Sequence, residues 1–255
     1  MRINASLHQS KRGLLWLSYA LICVWLALAL SWWLLARLDY GYPLWYSLLG
    51  IEQHIATYAP ENDARPGFDA LSSAEHAEAF RAIRQAVHDN GHGLAAIQYS
   101  GPDGEIMPLL IRSEVIHLQD VADLLARAAL ASGLLCILWL PAAWASRRNG
   151  LPRWPLRCLS ALVMAVPLLL WLLISGPKAV FYQMHVWLFP PENPWFFYWE
   201  ESLMSTLMKA PYLFGAIALV LAAGAFILTP VIYSAGYRIA DRFSRYLAEH
   251  DKERQ

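Results

Sequence analysis

Four stretches of this chain, 14–36, 128–146, 158–176 and 211–237, contain no Asp, Glu, Lys or Arg and are apolar on every face a helix would present. About 20 such residues carry a helix across roughly 30 Å of hydrocarbon, so each stretch predicts a membrane span. The second is expected to begin near 123, where its helix emerges from a polar segment. The first is too long and too rich in Trp for a cleaved signal peptide, and no small-x-small cleavage site follows it, so it is expected to be retained.

The stretch 37–122 is patterned differently. Ser72-Ser-Ala-Glu75 is a capping-box pattern, and Phe80, Ile83 and Val87 continue it at helical spacing until Asn90-Gly91 stops the helix. Leu94 to Tyr99 and Glu105 to Ile111 flank Ser-Gly-Pro-Asp-Gly, which predicts a β-hairpin. Asn62 to Asp69 reads as a turn-rich link, and Tyr40, Tyr42, Trp45 and Tyr46 as an aromatic belt at headgroup level. The expected fold is an all-α membrane protein of four transmembrane helices, with a small extracytoplasmic α+β insertion between the first two.

Lys11 and Arg12 precede the first span, Arg147, Arg148, Arg153 and Arg157 lie between the second and third, and Arg238, Arg242 and Arg245 follow the fourth. By the positive-inside rule these ends, 1–13, 147–157 and 238–255, are cytoplasmic, and 37–122 and 177–210 face outward. Composition agrees with this class: 57% of residues are hydrophobic, 12 are Trp and the net charge is zero, which leaves nucleic-acid binding without support. Cys23, Cys136 and Cys158 lie in or beside spans, so no disulfide framework is implied.

Candidate chemistry gathers at the outer ends of the spans. In Ser113-Glu-Val-Ile-His-Leu-Gln-Asp-Val121, Glu114, His117 and Asp120 are spaced by three and share a helix face, where a carboxylate can orient an imidazole. Ser113 is a candidate N-cap with Glu114 in the first turn. A helix unbroken from there into the second span would hold His117 about 15 Å from Arg127, so Asp123 and Arg127 are expected to face a polar protein cavity at membrane depth. His185 lies in the other outward segment among Trp187, Phe189 and Trp195; Pro190, Pro191 and Pro194 forbid a regular helix there, leaving an aromatic surface suited to lipid. His54, His76, His88 and His92 read as ordinary surface residues.

The first block resembles the Glu-x-x-His-x-x-Asp-Val signature of the bacterial lipoprotein intramolecular transacylase (Lit) family. Met184-His185 with Phe189, Trp195 and Pro211 resembles that family's Phe-His, Phe, Trp and Pro block, with Met184 in place of the Phe and Ala122-Asp123 where a Lys often follows the Asp-Val pair. The order of four spans matches as well. The resemblance implies an enzyme of the bacterial cytoplasmic membrane acting on diacylglyceryl-modified lipoproteins among the membrane lipids: the sn-2 acyl chain of the diacylglyceryl-cysteine moves to the cysteine's α-amino group.

That chemistry needs a base for the amine, whose ordinary pKa is about 7.7 to 8.0, and a group to protonate the leaving glycerol oxygen or steady the oxyanion. His117 is the expected base, with Glu114 or Asp120 fixing its tautomer; His185 is the expected acid or oxyanion partner, Arg112 a further oxyanion partner, and Trp187, Phe189 and Trp195 substrate contacts. No cofactor or metal is required. Two other readings use the same residues. Glu114, His117, Asp120 and His185 are acceptable zinc ligands, as in a metal-dependent membrane hydrolase. A non-catalytic accessory or sensor protein would use the outer domain to bind a partner.

Overall fold

The computed structural model describes residues 2–253, with side chains from Gln9 to His250 apart from position 248. It is mostly helical. Four helices are long and apolar enough to cross a membrane: α1 (Arg2–Ala36), α5 (Arg112–Asn149), α6 (Trp154–Leu188) and α8 (Tyr212–Glu253). Their apolar windows are scarcely covered by protein, and not at all in α6, where Leu173 and Ile174 are about four-fifths exposed. Leucines displayed in this way need a hydrocarbon solvent. Between the long helices lie α2 (Tyr42–Leu48), α3 (Ile51–Tyr58), α4 (Ser73–His88), strands β1 (Gln98–Ser100) and β2 (Ile106–Pro108), and the single turn α7 (Leu203–Thr206).

The chain divides into two compact units. One comprises residues 1–32, 129–174 and 221–255. Its helices are joined by polar aromatic contacts. The Tyr19 hydroxyl donates to the Tyr233 carbonyl at 2.6 Å, Trp16 Nε1 to the Tyr233 hydroxyl at 2.9 Å, and the Ser146 and Tyr237 hydroxyls pair at 2.8 Å. Gly236 permits this approach, since a Cβ there would stand 2.3 Å from the Tyr19 oxygen.

The second unit comprises residues 33–128 and 175–220. The capping box closes α4 as expected: Ser72 Oγ accepts from the Glu75 amide at 3.3 Å, and Glu75 accepts from the Ser72 amide at 2.7 Å. Asn90 and Gly91, both at positive φ, end that helix. The hairpin forms with Tyr99 opposite Met107, but only three residues pair on each side, because Leu94–Ala96 is taken up in a short 3₁₀ turn.

Tyr40, Tyr42 and Tyr46 depart from the sequence expectation. They are buried in this unit rather than forming a headgroup belt: Tyr42 stacks on Phe80 at 4.2 Å and donates to the Leu207 carbonyl at 2.9 Å. His54 and His76 are likewise core residues rather than surface ones. The Tyr46 hydroxyl bonds His76 Nδ1 at 2.9 Å while His76 Nε2 donates to the Phe68 carbonyl at 2.9 Å, and His54 Nε2 donates to the Ser205 carbonyl at 3.2 Å. Nor is the segment 177–210 all loop. α6 breaks at Gly176 (φ 77°) and resumes as a helix up to Leu188, and 203–208 is buried core rather than interfacial surface.

Candidate functional site

The first turn of α5 is built around Glu114. The helix starts one residue before Ser113, and its cap is Glu114 itself, whose Oε2 accepts from the Ile111 amide at 2.8 Å, as a carboxylate in the third helical position can. The same oxygen accepts from Arg65 Nη2 at 2.7 Å; the other accepts from Ser202 Oγ at 2.5 Å and from the Leu203 amide at 2.7 Å. Both charges of the Arg65–Glu114 pair are almost wholly withdrawn from solvent. Arg65 also donates Nη1 to the Ala64 carbonyl at 3.0 Å and Nε to the Leu109 carbonyl. Glu114 is thus fully engaged away from the imidazole it was expected to orient.

One turn on, His117 is 8% exposed, and its Nδ1 has no hydrogen-bond partner. Its ring lies 5.9 Å from that of His185, nearly parallel at 26°. Phe189 and Phe197 stand edge-on to it at 5.0 and 5.8 Å. His185 sits among Phe181 at 4.1 Å, Phe189 at 5.2 Å and Trp195 at 5.3 Å. Its Nδ1 donates to the Phe181 carbonyl at 2.8 Å, one turn back on α6. A carbonyl can only accept, so the neutral His185 ring carries its proton on Nδ1 and keeps a bare lone pair on Nε2.

Burial favours the uncharged form of both rings. It lowers His117 to about 4, with the neighbouring His185 adding to the effect, and it lowers His185 as well, partly opposed by the bond to Phe181. A buried N–H without an acceptor is rarer than a buried lone pair without a donor, so the neutral His117 ring places its proton on Nε2 and leaves Nδ1 bare. The two rings then present complementary nitrogens: an N–H on His117 and a lone pair on His185.

Of the other residues singled out from sequence, Phe189 and Trp195 form part of this aromatic enclosure. Asp120 does not reach His117; it accepts from Asn193 Nδ2 at 2.8 Å and so holds the proline-rich 190–194 turn. Arg112 is exposed at the start of α5. Trp187 lies two residues from His185, on another side of α6, and is two-thirds exposed. Asp123 accepts from Gln119 Nε2 at 2.9 Å. Sequence reasoning passed over Phe181, Phe197, Arg65, Ser202 and Asn193. Phe181 carried a signal, being four residues before His185 on one helix face.

Among the described residues no three His, Cys, Asp or Glu side chains converge in a metal-holding group. The zinc reading drew on Glu114 and Asp120, and both are bound elsewhere. Comparison with family models, curated proteins and solved structures finds no match.

Proposed function

We propose that the chain is a lipoprotein intramolecular transacylase, moving the sn-2 acyl chain of a diacylglyceryl-cysteine to the α-amino group of that cysteine at the outer face of the bacterial cytoplasmic membrane, with both termini in the cytoplasm. The observation that carries this reading is the pair of imidazoles whose ring centroids lie 5.9 Å apart in an aromatic enclosure, with His185 Nδ1 bonded to a carbonyl and His117 Nδ1 unpartnered. The distribution of Lys and Arg supports the orientation.

The tautomers favour a division of labour opposite to the one expected from sequence. His185 Nε2 takes a proton as the α-amino nitrogen bonds to the ester carbonyl carbon. His117 Nε2–H donates a hydrogen bond to the oxyanion that forms, a role for which a neutral imidazole is suited. As the bond from carbon to the glycerol oxygen breaks, the His185 imidazolium returns its proton to that oxygen. The products are an amide and a free hydroxyl, and both rings end neutral. Amine and ester belong to one molecule, so the enclosure has only to align them. Glu114 and Asp120 take no proton in this scheme.

The test is incubation of the purified protein with a diacylglyceryl-cysteinyl lipopeptide, followed by mass spectrometry of fragments that locate each acyl chain. The expected product is the N-acyl-S-monoacylglyceryl form, with His185→Ala abolishing it and His117→Gln, which retains a donor, less harmful than His117→Ala. Loss of the chain as free fatty acid would identify a hydrolase instead. Full transfer by the variant lacking both imidazoles would end the proposal.

A further inference from the structure

Glu114 is the most densely hydrogen-bonded carboxylate among the described residues, and none of its contacts is to an imidazole. It joins three segments of its unit: the 62–71 link through Arg65, the first turn of α5 through the Ile111 amide, and the 202–206 turn through Ser202 and Leu203. Each end of this junction leads to the His117 ring. On one side His117 follows Glu114 by one helical turn. On the other, Ser205 Oγ donates to the Phe197 carbonyl at 2.8 Å and Thr206 Oγ1 to the Trp199 carbonyl, so the turn held by Glu114 carries the strip from which Phe197 packs against His117.

From this we infer that the buried Arg65–Glu114 pair is a positioning lock: it sets the imidazole of His117 against the aromatic wall opposite, and the carboxylate plays no part in proton transfer. The chemistry of the pair explains why charge is used at this junction. A carboxylate offers lone pairs enough for four donors arriving from different directions, which no neutral side chain of that size does, and the guanidinium balances the charge so that it can be withdrawn from water. A charge placed there to tune the imidazole would instead have kept an oxygen for it.

The two roles differ in how the site responds to removal of both charges together. Glu114→Gln alone strands the Arg65 guanidinium and turns an amide NH₂ toward donors. Arg65→Gln with Glu114→Gln removes the charges but restores a donor–acceptor pair. The measurement is the rate of carbethoxylation of His117 by diethyl pyrocarbonate in the full-length protein, read by peptide mass spectrometry against the exposed His92 as internal standard. This readout does not depend on acyl transfer. The expected result is a roughly tenfold rise in the His117 to His92 ratio for Glu114→Gln and a return to within about threefold of the starting protein for the double variant. An unchanged ratio in Glu114→Gln, or a double variant as reactive as the single, overturns the lock.

Should Glu114→Gln fail to accumulate, Ser202→Ala removes a single contact to the carboxylate; a rise of about threefold supports the inference, and no rise defeats it. A second arm rests on the transacylase reading. There the kcat of Glu114→Gln falls about tenfold and recovers in the double variant, while the pH profile keeps its shape; a displaced acid limb instead marks Glu114 as a direct partner of the imidazole and refutes the lock. Absence of acyl transfer by the unmodified protein counts against the proposed function alone, since the labelling rates still decide the lock.

Discussion

Replacing His117 by Leu should make the protein more resistant to acid while abolishing the proposed acyl transfer. His117 sits 8% exposed with Nδ1 unpartnered, and burial lowers its pKa from 6.5 to about 4. The unfolded chain therefore binds a proton on this ring near pH 6.5, and the folded chain does so only near pH 4. Stability from this group is fully present above the unfolded value and is lost as pH falls from 6.5 toward 4, because the unfolded state binds more protons throughout that window. At pH 4.5 the difference in proton binding between these two pKa values amounts to roughly 2–3 kcal/mol. At about 2–4 °C per kcal/mol for a chain of this size, that corresponds to roughly 5–10 °C in melting temperature.

The assay is thermal unfolding in one detergent at pH 7.5 and pH 4.5, at a fixed scan rate, for the starting protein and the variant. The quantity of interest is the drop between the two pH values, since packing changes caused by the differently shaped side chain cancel in it. The variant should lose about 5–10 °C less than the starting protein. At pH 7.5 the variant should be no less stable, because no hydrogen bond to Nδ1 is lost and a buried unsatisfied atom, which costs about 1–3 kcal/mol, is removed. Equal drops in both proteins would refute the assignment of a buried, neutral imidazole.

The remaining predictions are independent of that experiment. The pH dependence of acyl transfer should rise with deprotonation of the substrate amine, near 7.7 to 8.0, and stay level above it; a requirement for an imidazolium would instead produce an alkaline fall already under way below pH 6.5. Ser72→Ala removes the side-chain half of the capping box on α4 and should cost about 0.5–2 kcal/mol, seen as a lower melting temperature with the kcat of the remaining folded protein unchanged. Asn193→Ala frees Asp120 and loosens the 190–194 turn, so substrate KM should rise several-fold while the pH profile keeps its shape.

The four spans and α4 were legible because each is specified locally: uninterrupted apolar residues set the spans, and Ser72 with Glu75 sets a helix start that depends on nothing distant. His117 and His185 were legible as candidates for a similar reason, each lying in a short polar or aromatic block beside a span. What could not be read was partnership. Glu114, His117 and Asp120 do share a helix stripe, but a shared stripe says only that side chains project the same way. Glu114 is claimed by Arg65, Ser202 and Leu203, residues 49, 88 and 89 positions away, and nothing in the turn-rich link around Arg65 announces a buried cation. The misplaced residues had a different cause. His76 falls in register with Phe80, Ile83 and Val87, and His54 lies beside Ile55 on the face of Ile51, so helical periodicity already put both imidazoles inside. Weighting them by polarity rather than by phase sent them to the surface, and a histidine whose two nitrogens find partners at Tyr46 and the Phe68 carbonyl is as well suited to a core as a phenylalanine. Had phase been followed, His54 and His76 would have been placed in the core of this unit, where the structure has them.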